Sequence, residues 1–168
     1  MSKVQMSKVQ LVLSGGILKE RKRKNFDGRK KQTTVVYLTQ KNKAKQAGKK
    51  FTCKVGNKTF HFGQAGASDF TIHKNYPRMV SYVQRHAGIK YTNKEKNKKW
   101  FQDMKQESDE TIESELLEIK TSRRENWTRK GINTPGFWSR WLLWSLPNLN
   151  DAKQYIEETF DVSIQNYK

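Results

Sequence analysis

The chain has 168 residues, of which 34% are hydrophobic, and its 34 Lys and Arg against 16 Asp and Glu give a formal net charge of +18. This hydrophobic share is low for a globular chain, which predicts that part of the chain adds little to a core. The single cysteine excludes an intrachain disulfide, the start shows no signal-peptide pattern, and no apolar run approaches the roughly 18 residues of a membrane span.

The positive charge is concentrated in the first part of the chain. Residues 1–60 contain 17 Lys or Arg and two acidic residues, whereas residues 61–168 contain 17 and 14. Like charges repel, so such a segment is not expected to pack by itself, and a polyanion or an acidic protein face would stabilise it. We predict a basic N-terminal arm over residues 1–48 and one domain over residues 49–168. The candidate contacts to a polyanion or a neighbouring subunit are Arg21, Lys22, Arg23, Lys24, Arg29, Lys30, Lys31, Lys41, Lys43, Lys45, Lys49 and Lys50.

The next part of the chain predicts a small antiparallel sheet. Residues 33–39 are β-branched and aromatic, which favours a strand. Residues 51–55 and 58–62 alternate in character and flank Gly56-Asn57, a pair suited to a tight hairpin turn. Residues 69–73 are expected to form a short extended piece.

Helices are predicted for much of the rest. Pro77 is suited to the first turn of a helix that continues to about His86. Residues 87–126 are lysine-rich and then acidic, with Ser108 as a candidate cap, which predicts a charged helical excursion braced by its own ion pairs. A final helix is expected from Asn148 or Asn150 to about Phe160.

A tryptophan-rich segment precedes that last helix. We interpret it as core, with Trp138 and Trp141 buried and Trp144 partly exposed; a partner-binding face and a base-stacking or membrane-interface platform are the alternatives. The predicted fold class is α+β, with the small sheet packed against the C-terminal helices. The predicted core comprises Phe51, Cys53, Phe60, Phe62, Val83, Trp138, Trp141, Leu142, Ile156 and Phe160.

Candidate chemistry is sparse. The spacing of Cys53 and the three histidines, His61, His73 and His86, matches no zinc pattern, so we predict no metal and no cofactor. A polar cluster of Asp69, His73, Arg85 and His86 raises the possibility of a hydrolytic or nuclease centre. Such a centre needs a positioned base together with a metal or oxyanion donors, and no second carboxylate lies nearby in the sequence. We prefer a structural role, in which Asp69 caps a turn and Arg85 bridges elements, and predict that the protein is not an enzyme.

Two segments carry a family resemblance. The first runs over residues 61–86 and the second over residues 126–144; their motif residues are Asp69, His73, Arg78, Arg85, His86, Trp127, Trp138, Trp141 and Trp144. Together they resemble a family of small basic domains of unknown function in large nucleocytoplasmic DNA viruses, both chlorovirus-like and mimivirus-like. The resemblance covers residues 51–86 and 123–160. Residues 87–126 depart from the family pattern, which suggests a surface addition to a preserved core.

The resemblance implies a virion protein, made in the host cytoplasm or nucleus. The expected function is that of a minor structural, capsid-associated protein of a large DNA virus, whose basic arm contacts other capsid or virion proteins. The alternative is a virion protein that binds nucleic acid or condenses DNA, since a basic arm suits a phosphate backbone. A third hypothesis is an enzyme acting on nucleic acid through Asp69, His73 and His86.

Overall fold

The computed structural model describes residues 33–40 and 48–166, which form an α+β fold. The four strands are Thr34–Gln40 (β1), Lys49–Val55 (β2), Lys58–Gln64 (β3) and Val162–Asn166 (β4). The α-helices are Phe70–His73 (α1), Tyr76–Arg85 (α2), Lys94–Asp103 (α3), Asp109–Leu117 (α4), Pro135–Trp138 (α5) and Leu149–Phe160 (α6). Short 3-10 turns occupy Met104–Gln106 and Arg129–Gly131.

The sheet has the strand order β3-β2-β1-β4 and is mixed. β1 pairs antiparallel with β2, with Val36 opposite Val55, and β2 pairs antiparallel with β3 around the predicted Gly56-Asn57 turn. β4 lies parallel to β1, with Ile164 opposite Val36. The predicted strands and fold class are confirmed, but β4 was missed, so the expectation of a purely antiparallel sheet was wrong. β4 has only two apolar residues in its sequence VSIQN, too few for a periodic signal.

One face of the sheet packs against helices and forms the core. Strand alternation places Val36, Leu38 and Cys53 on this face, with 0%, 5% and 0% of their surface exposed. The helical segment after Thr134 covers β3, where Phe62 lies 6.3 Å from Trp138 between ring centroids. The predicted core is confirmed except at Phe60, which is half-buried.

Side-chain caps explain where the helices begin. The Asn75 carboxamide accepts a hydrogen bond from the Arg78 N–H at 2.8 Å, and Asn148 caps α6 in the same way. Ser108 caps α4 as predicted. The prediction of an extended piece over residues 69–73 was wrong, because Asp69 caps the single helical turn of α1.

The tryptophan-rich segment is part of the core. α5 continues into a π-helical turn at Ser139–Leu143. Trp138 and Trp141 are completely buried, and Trp144, which follows the turn, is half-buried. This distribution confirms the predicted burial of all three side chains.

The two ends of the excursion between α2 and α5 lie next to each other. Gly88 and Ser122 form an antiparallel bridge, and the Arg123 N–H donates to the Ala87 carbonyl at 3.0 Å. A surface addition was expected here, but α3 and α4 pack on α2 and carry core residues. The buried residues of the excursion include Phe101, Met104, Ile112, Leu116 and Ile119.

The domain begins earlier in the chain than predicted. β1 lies between β2 and β4, so residues 34–40 belong to the sheet and the boundary placed at residues 48 and 49 was wrong. The rest of the predicted arm, residues 1–32 and 41–47, lies outside the described residues. Within the described ranges, every helix is too short or too polar to cross a bilayer.

Candidate functional site

A buried ion pair joins the sheet to the start of α1. The Lys50 Nζ lies 2.5 Å from the Asp69 Oδ2, and the two side chains are only 9% and 4% exposed. The other carboxylate oxygen of Asp69 accepts hydrogen bonds from the Thr71 N–H and hydroxyl. Lys50 was predicted to contact a polyanion, but its ammonium group is already paired and almost inaccessible, so that prediction was wrong. The predicted capping role of Asp69 is confirmed.

A cavity of about 260 Å³ lies beside this pair. Its apolar wall is provided by residues that include Phe51, Leu143 and Leu149, and the exposed Ile72 stands at its margin. The backbone around it is tight at Gly63, where φ is +68° and a Cβ would lie 2.9 Å from the Leu143 side chain. The carboxylate at this cavity is fully engaged with Lys50 and Thr71, an arrangement typical of a structural acid.

Three residues of the predicted motif, His73, Trp144 and His86, form with Tyr82 a row of adjacent rings, which we call the aromatic row. The ring centroids of His73 and Trp144 are 5.3 Å apart, those of Trp144 and Tyr82 are 4.3 Å apart with parallel planes, and those of Tyr82 and His86 are 4.2 Å apart. Tyr82 on α2 and His86, the residue that caps the end of this helix, lie on the same side because they are spaced by about one helical turn. The row therefore ties α1 and α2 to the end of the π-helical turn.

A carboxylate anchors one end of the aromatic row. The Glu125 Oε1 lies 3.0 Å from the His86 Nδ1, and its Oε2 accepts a hydrogen bond from the Trp127 Nε1 at 2.7 Å. Burial alone would raise the pKa of Glu125, but the hydrogen bonds from His86 and Trp127 outweigh it and hold that pKa below its usual range. Glu125 is therefore ionised near neutral pH and braces two motif residues. The sequence analysis did not single it out, because the contact spans 39 positions.

His73 lies at the other end of the row. Its Nδ1 accepts a hydrogen bond from the Asn75 N–H at 2.8 Å. Burial and the positive charge of Arg78 lower the pKa of His73, so the ring is neutral near pH 7. Trp144 and Tyr82 separate it from His86, and Asp69 is directed to Lys50. The three residues of the hydrolytic hypothesis thus do not converge on one point, a geometry that does not favour shared acid–base work.

The tryptophans enclose a buried arginine that the sequence analysis did not select. The Arg140 guanidinium is completely buried and lies 4.3 Å from the Trp141 ring and 5.5 Å from the Trp127 ring. It donates hydrogen bonds to the carbonyl oxygens of Trp144, at 2.5 Å, and Leu116, at 2.7 Å. Burial lowers the pKa of Arg140 to about 10, so it remains protonated at neutral pH. The only sequence signal is an arginine placed among tryptophans in FWSRWLLW.

The basic residues of the predicted motif lie on α2, and few of the predicted polyanion contacts are described. The motif residues Arg78 and Arg85 are exposed on α2, and Arg124 donates a hydrogen bond to the Arg85 carbonyl at 3.2 Å. This contact is made by the Arg85 backbone, and it joins α2 to the segment before Trp127. Lys49 is half-buried at the start of β2. The remaining candidates, residues 21–31 and 41–45, fall outside the described part of the chain.

The candidate metal ligands do not meet. Cys53 is buried in the sheet, and burial raises the pKa of its thiol, as expected for a small core residue. The His61 Nδ1 lies 2.9 Å from the Thr52 Oγ1. Across residues 33–40 and 48–166 there is no group of three or more His, Cys, Asp or Glu side chains arranged for a metal.

Comparison with known proteins finds a match for part of the chain. Residues 40–86, which include β2, β3, α1 and α2, match the model of a family of unknown function, DUF5754. No curated protein and no solved structure matches the chain. The matched segment contains the Lys50–Asp69 pair and three members of the aromatic row but neither Trp127 nor Trp144. The chain is thus similar to DUF5754 over the part that builds the hairpin and its first two helices.

Proposed function

We propose that the protein is a nucleic-acid-binding component whose α+β domain carries a basic attachment segment. The observation that supports this proposal is the segregation of charge: residues 1–60 hold 17 basic and two acidic residues, whereas residues 61–168 hold 17 and 14. A phosphate backbone neutralises such a segment and releases its own condensed counterions, which favours binding and makes it depend on salt. Within the described domain, the buried arginine and the Lys50–Asp69 pair are directed inward.

The experiment compares two variants with the same change in net charge. In the first, Arg21, Lys22, Arg23 and Lys24 are replaced by Gln. In the control, the exposed Lys94, Lys96, Lys98 and Lys99 of α3 are replaced by Gln. Affinity for a duplex DNA probe is measured by fluorescence anisotropy from 50 to 300 mM salt, a range over which the Debye screening length falls from about 14 to about 6 Å.

The first variant is expected to lose affinity and to reduce the slope of log K against log salt by up to about 3.6, since each neutralised phosphate contributes about 0.9. The α3 control is expected to keep most of the wild-type affinity and most of the wild-type slope. Equal losses of DNA affinity in the two variants would show that binding depends on the net charge of the protein and not on residues 21–24. A wild-type chain with no measurable DNA affinity at low salt would exclude the function.

The resemblance described above favours a second candidate, a minor structural protein of a large DNA virus particle. In this proposal the basic segment contacts neighbouring capsid or virion proteins, and the protein is made in the host cytoplasm or nucleus before packaging. Quantitative mass spectrometry of purified particles tests it directly. A fixed copy number per particle is expected, and absence from the particle would exclude this role.

A further inference from the structure

We infer that the outward face of α2 binds the phosphate backbone of duplex nucleic acid through Arg78 and Arg85; this inference rests on the proposed function and adds a contact to the same ligand within the folded domain. Arg123 and Arg124 lie at the end of this face. All four arginine side chains are exposed, so the domain offers a cationic surface of its own.

Arg78 and Arg85 share the side of α2 that points away from the core. Seven residues turn a helix through nearly two full turns and advance it by about 10.5 Å, so the two side chains project in the same direction. Met79, Val80 and Val83, on the opposite side of the helix, are completely buried. Two guanidinium groups are thus presented to solvent along one line of the helix surface.

The segment after the excursion brings two more arginines to the end of this face. The Arg124 guanidinium donates a hydrogen bond to the Arg85 carbonyl at 3.2 Å, and the Arg123 guanidinium donates one to the Thr92 carbonyl at 3.2 Å. A guanidinium has five N–H donors, so each group keeps donors for a ligand. The negative end of the α2 dipole lies at Arg85, and the charge of Arg124 offsets it.

Acidic groups do not neutralise this face. α2 contains no Asp or Glu, and Glu125, the acid next to Arg124, uses one carboxylate oxygen on His86 and the other on Trp127. Among the described residues, none of the four arginines forms an ion pair. An unpaired guanidinium suits a phosphate, which it can bind through two parallel hydrogen bonds.

The basic surface of α3 differs in this respect. Its sequence, KEKNKKWFQD, mixes four lysines with two acids, and Lys99 pairs with Asp103 at 2.9 Å. Lysine is a flexible point charge, whereas the planar arginine group matches phosphate geometry. The face of α2 is therefore the better phosphate-binding surface of the two helices.

A duplex fits the spacing of the two α2 arginines. A duplex carries about one charge per 1.7 Å of its axis, twice the density of a single strand. Over the roughly 10.5 Å between Arg78 and Arg85 it therefore presents about six phosphates. Both guanidinium groups can contact phosphates at once without any change in the fold.

The test compares two variants of the full chain that lose the same charge. The first is Arg78→Gln/Arg85→Gln, and the control is Lys58→Gln/Lys130→Gln, at two exposed positions at the start of β3 and in a 3-10 turn. Binding to duplex DNA is measured by fluorescence anisotropy as a function of salt. The first variant is expected to reduce the slope of log K against log salt by about 1.8, at about 0.9 per phosphate, and to weaken binding by about tenfold or more at about 0.1 M salt. The control should keep the wild-type slope.

Three outcomes would overturn the inference. A folded Arg78→Gln/Arg85→Gln chain with the wild-type slope would show that α2 does not contact DNA, and the proposed function would stand through residues 21–24. Equal losses in the variant and the control would refute a defined face on α2. A wild-type chain that does not bind DNA would remove both the inference and the proposed function.

A second measurement on the wild-type chain applies if the variant fails to fold. Phenylglyoxal modifies accessible arginines, and mass spectrometry identifies the modified positions with and without duplex DNA. DNA is expected to protect Arg78 and Arg85 from modification. Protection confined to arginines within residues 1–32 would refute the inference.

Discussion

At the scale of single residues, the most demanding feature is Arg140. A buried charge is costly unless polar groups replace its hydration. Here two carbonyl oxygens accept its hydrogen bonds and two indole rings lie within cation–π distance. Trp141 provides the closer ring and also donates its Nε1–H to the Trp127 carbonyl at 2.8 Å. The Trp141 side chain thus packs in the core, donates a hydrogen bond and compensates the buried charge of Arg140.

Trp141→Ala is therefore expected to destabilise the protein by roughly 3–5 kcal/mol, the range for truncating a buried large aromatic residue. Domains have only about 5–15 kcal/mol of stability, so a lower yield of soluble protein should follow. Thermal and urea melts measure the effect. Trp144→Ala, at a half-buried position, is the matched control and should cost less. A Trp141→Ala melt that matches wild type would contradict the core assignment.

Glu125 provides a pH-dependent prediction at the same scale. Its pKa is lower in the folded chain than in the unfolded chain, so its contribution to stability is fully present above the unfolded value of about 4.3 and is lost as the pH falls through the folded value. The melting temperature of Glu125→Gln should lie below wild type at pH 6, and this difference should shrink toward pH 3. A difference that does not change with pH would show that the carboxylate charge is unimportant.

At the scale of elements, the excursion over residues 89–121 combines two properties that usually exclude each other. Its ends meet at the Gly88–Ser122 bridge, as in an insertion. Its helices nevertheless bury apolar residues against α2, which places them in the same hydrophobic cluster as Val83. The two ends of the excursion thus lie next to each other at Gly88 and Ser122, while its helices are held in place by their packing on α2.

Ile112→Ala on α4 tests this packing. Ile112 is 1% exposed, and truncating a buried isoleucine typically costs about 2–5 kcal/mol. The control is Ser114→Ala, an exposed position on the same helix, which should change stability by less than about 0.5 kcal/mol. The two variants are compared by chemical denaturation. Similar midpoints would mean that the excursion folds independently of the core.

Local signals explain what could be predicted at this scale. The β2–β3 hairpin follows from Gly56-Asn57, and the starts of α2, α4 and α6 follow from a proline or from capping side chains within a few residues. Most of the missed features depend on contacts between distant residues. β4 depends on β1, and Glu125 gains its role only when His86 approaches. The turn of helix at residues 70–73 is capped locally by Asp69, but four residues are too few to give a periodic signal. The composition of the chain and the spacing of its residues do not indicate which distant residues will come into contact.

At the scale of the whole molecule, β1 is the first strand of the described sheet, and it follows the most basic run of the sequence, residues 19–31. Truncation to residue 33 is expected to remove ten of the 34 Lys and Arg residues and to leave the melting temperature nearly unchanged, since the described sheet starts at Thr34. Truncation to residue 49 removes an inner strand and should abolish cooperative melting. Circular dichroism melts of both chains test this pair of outcomes. A cooperative transition in the shorter chain would show that β2 and β3 suffice.

The parallel pairing of β1 with β4 also determines the order in which the sheet can form during translation. The β2–β3 hairpin is local and can form while the ribosome is still translating, but β1 keeps one open edge until residues 162–166 have emerged. An open strand edge is a template for pairing with another chain. During most of translation, the nascent chain therefore presents this edge directly after its most basic run. Messages truncated before codon 162 should accordingly yield products that aggregate or depend on chaperones.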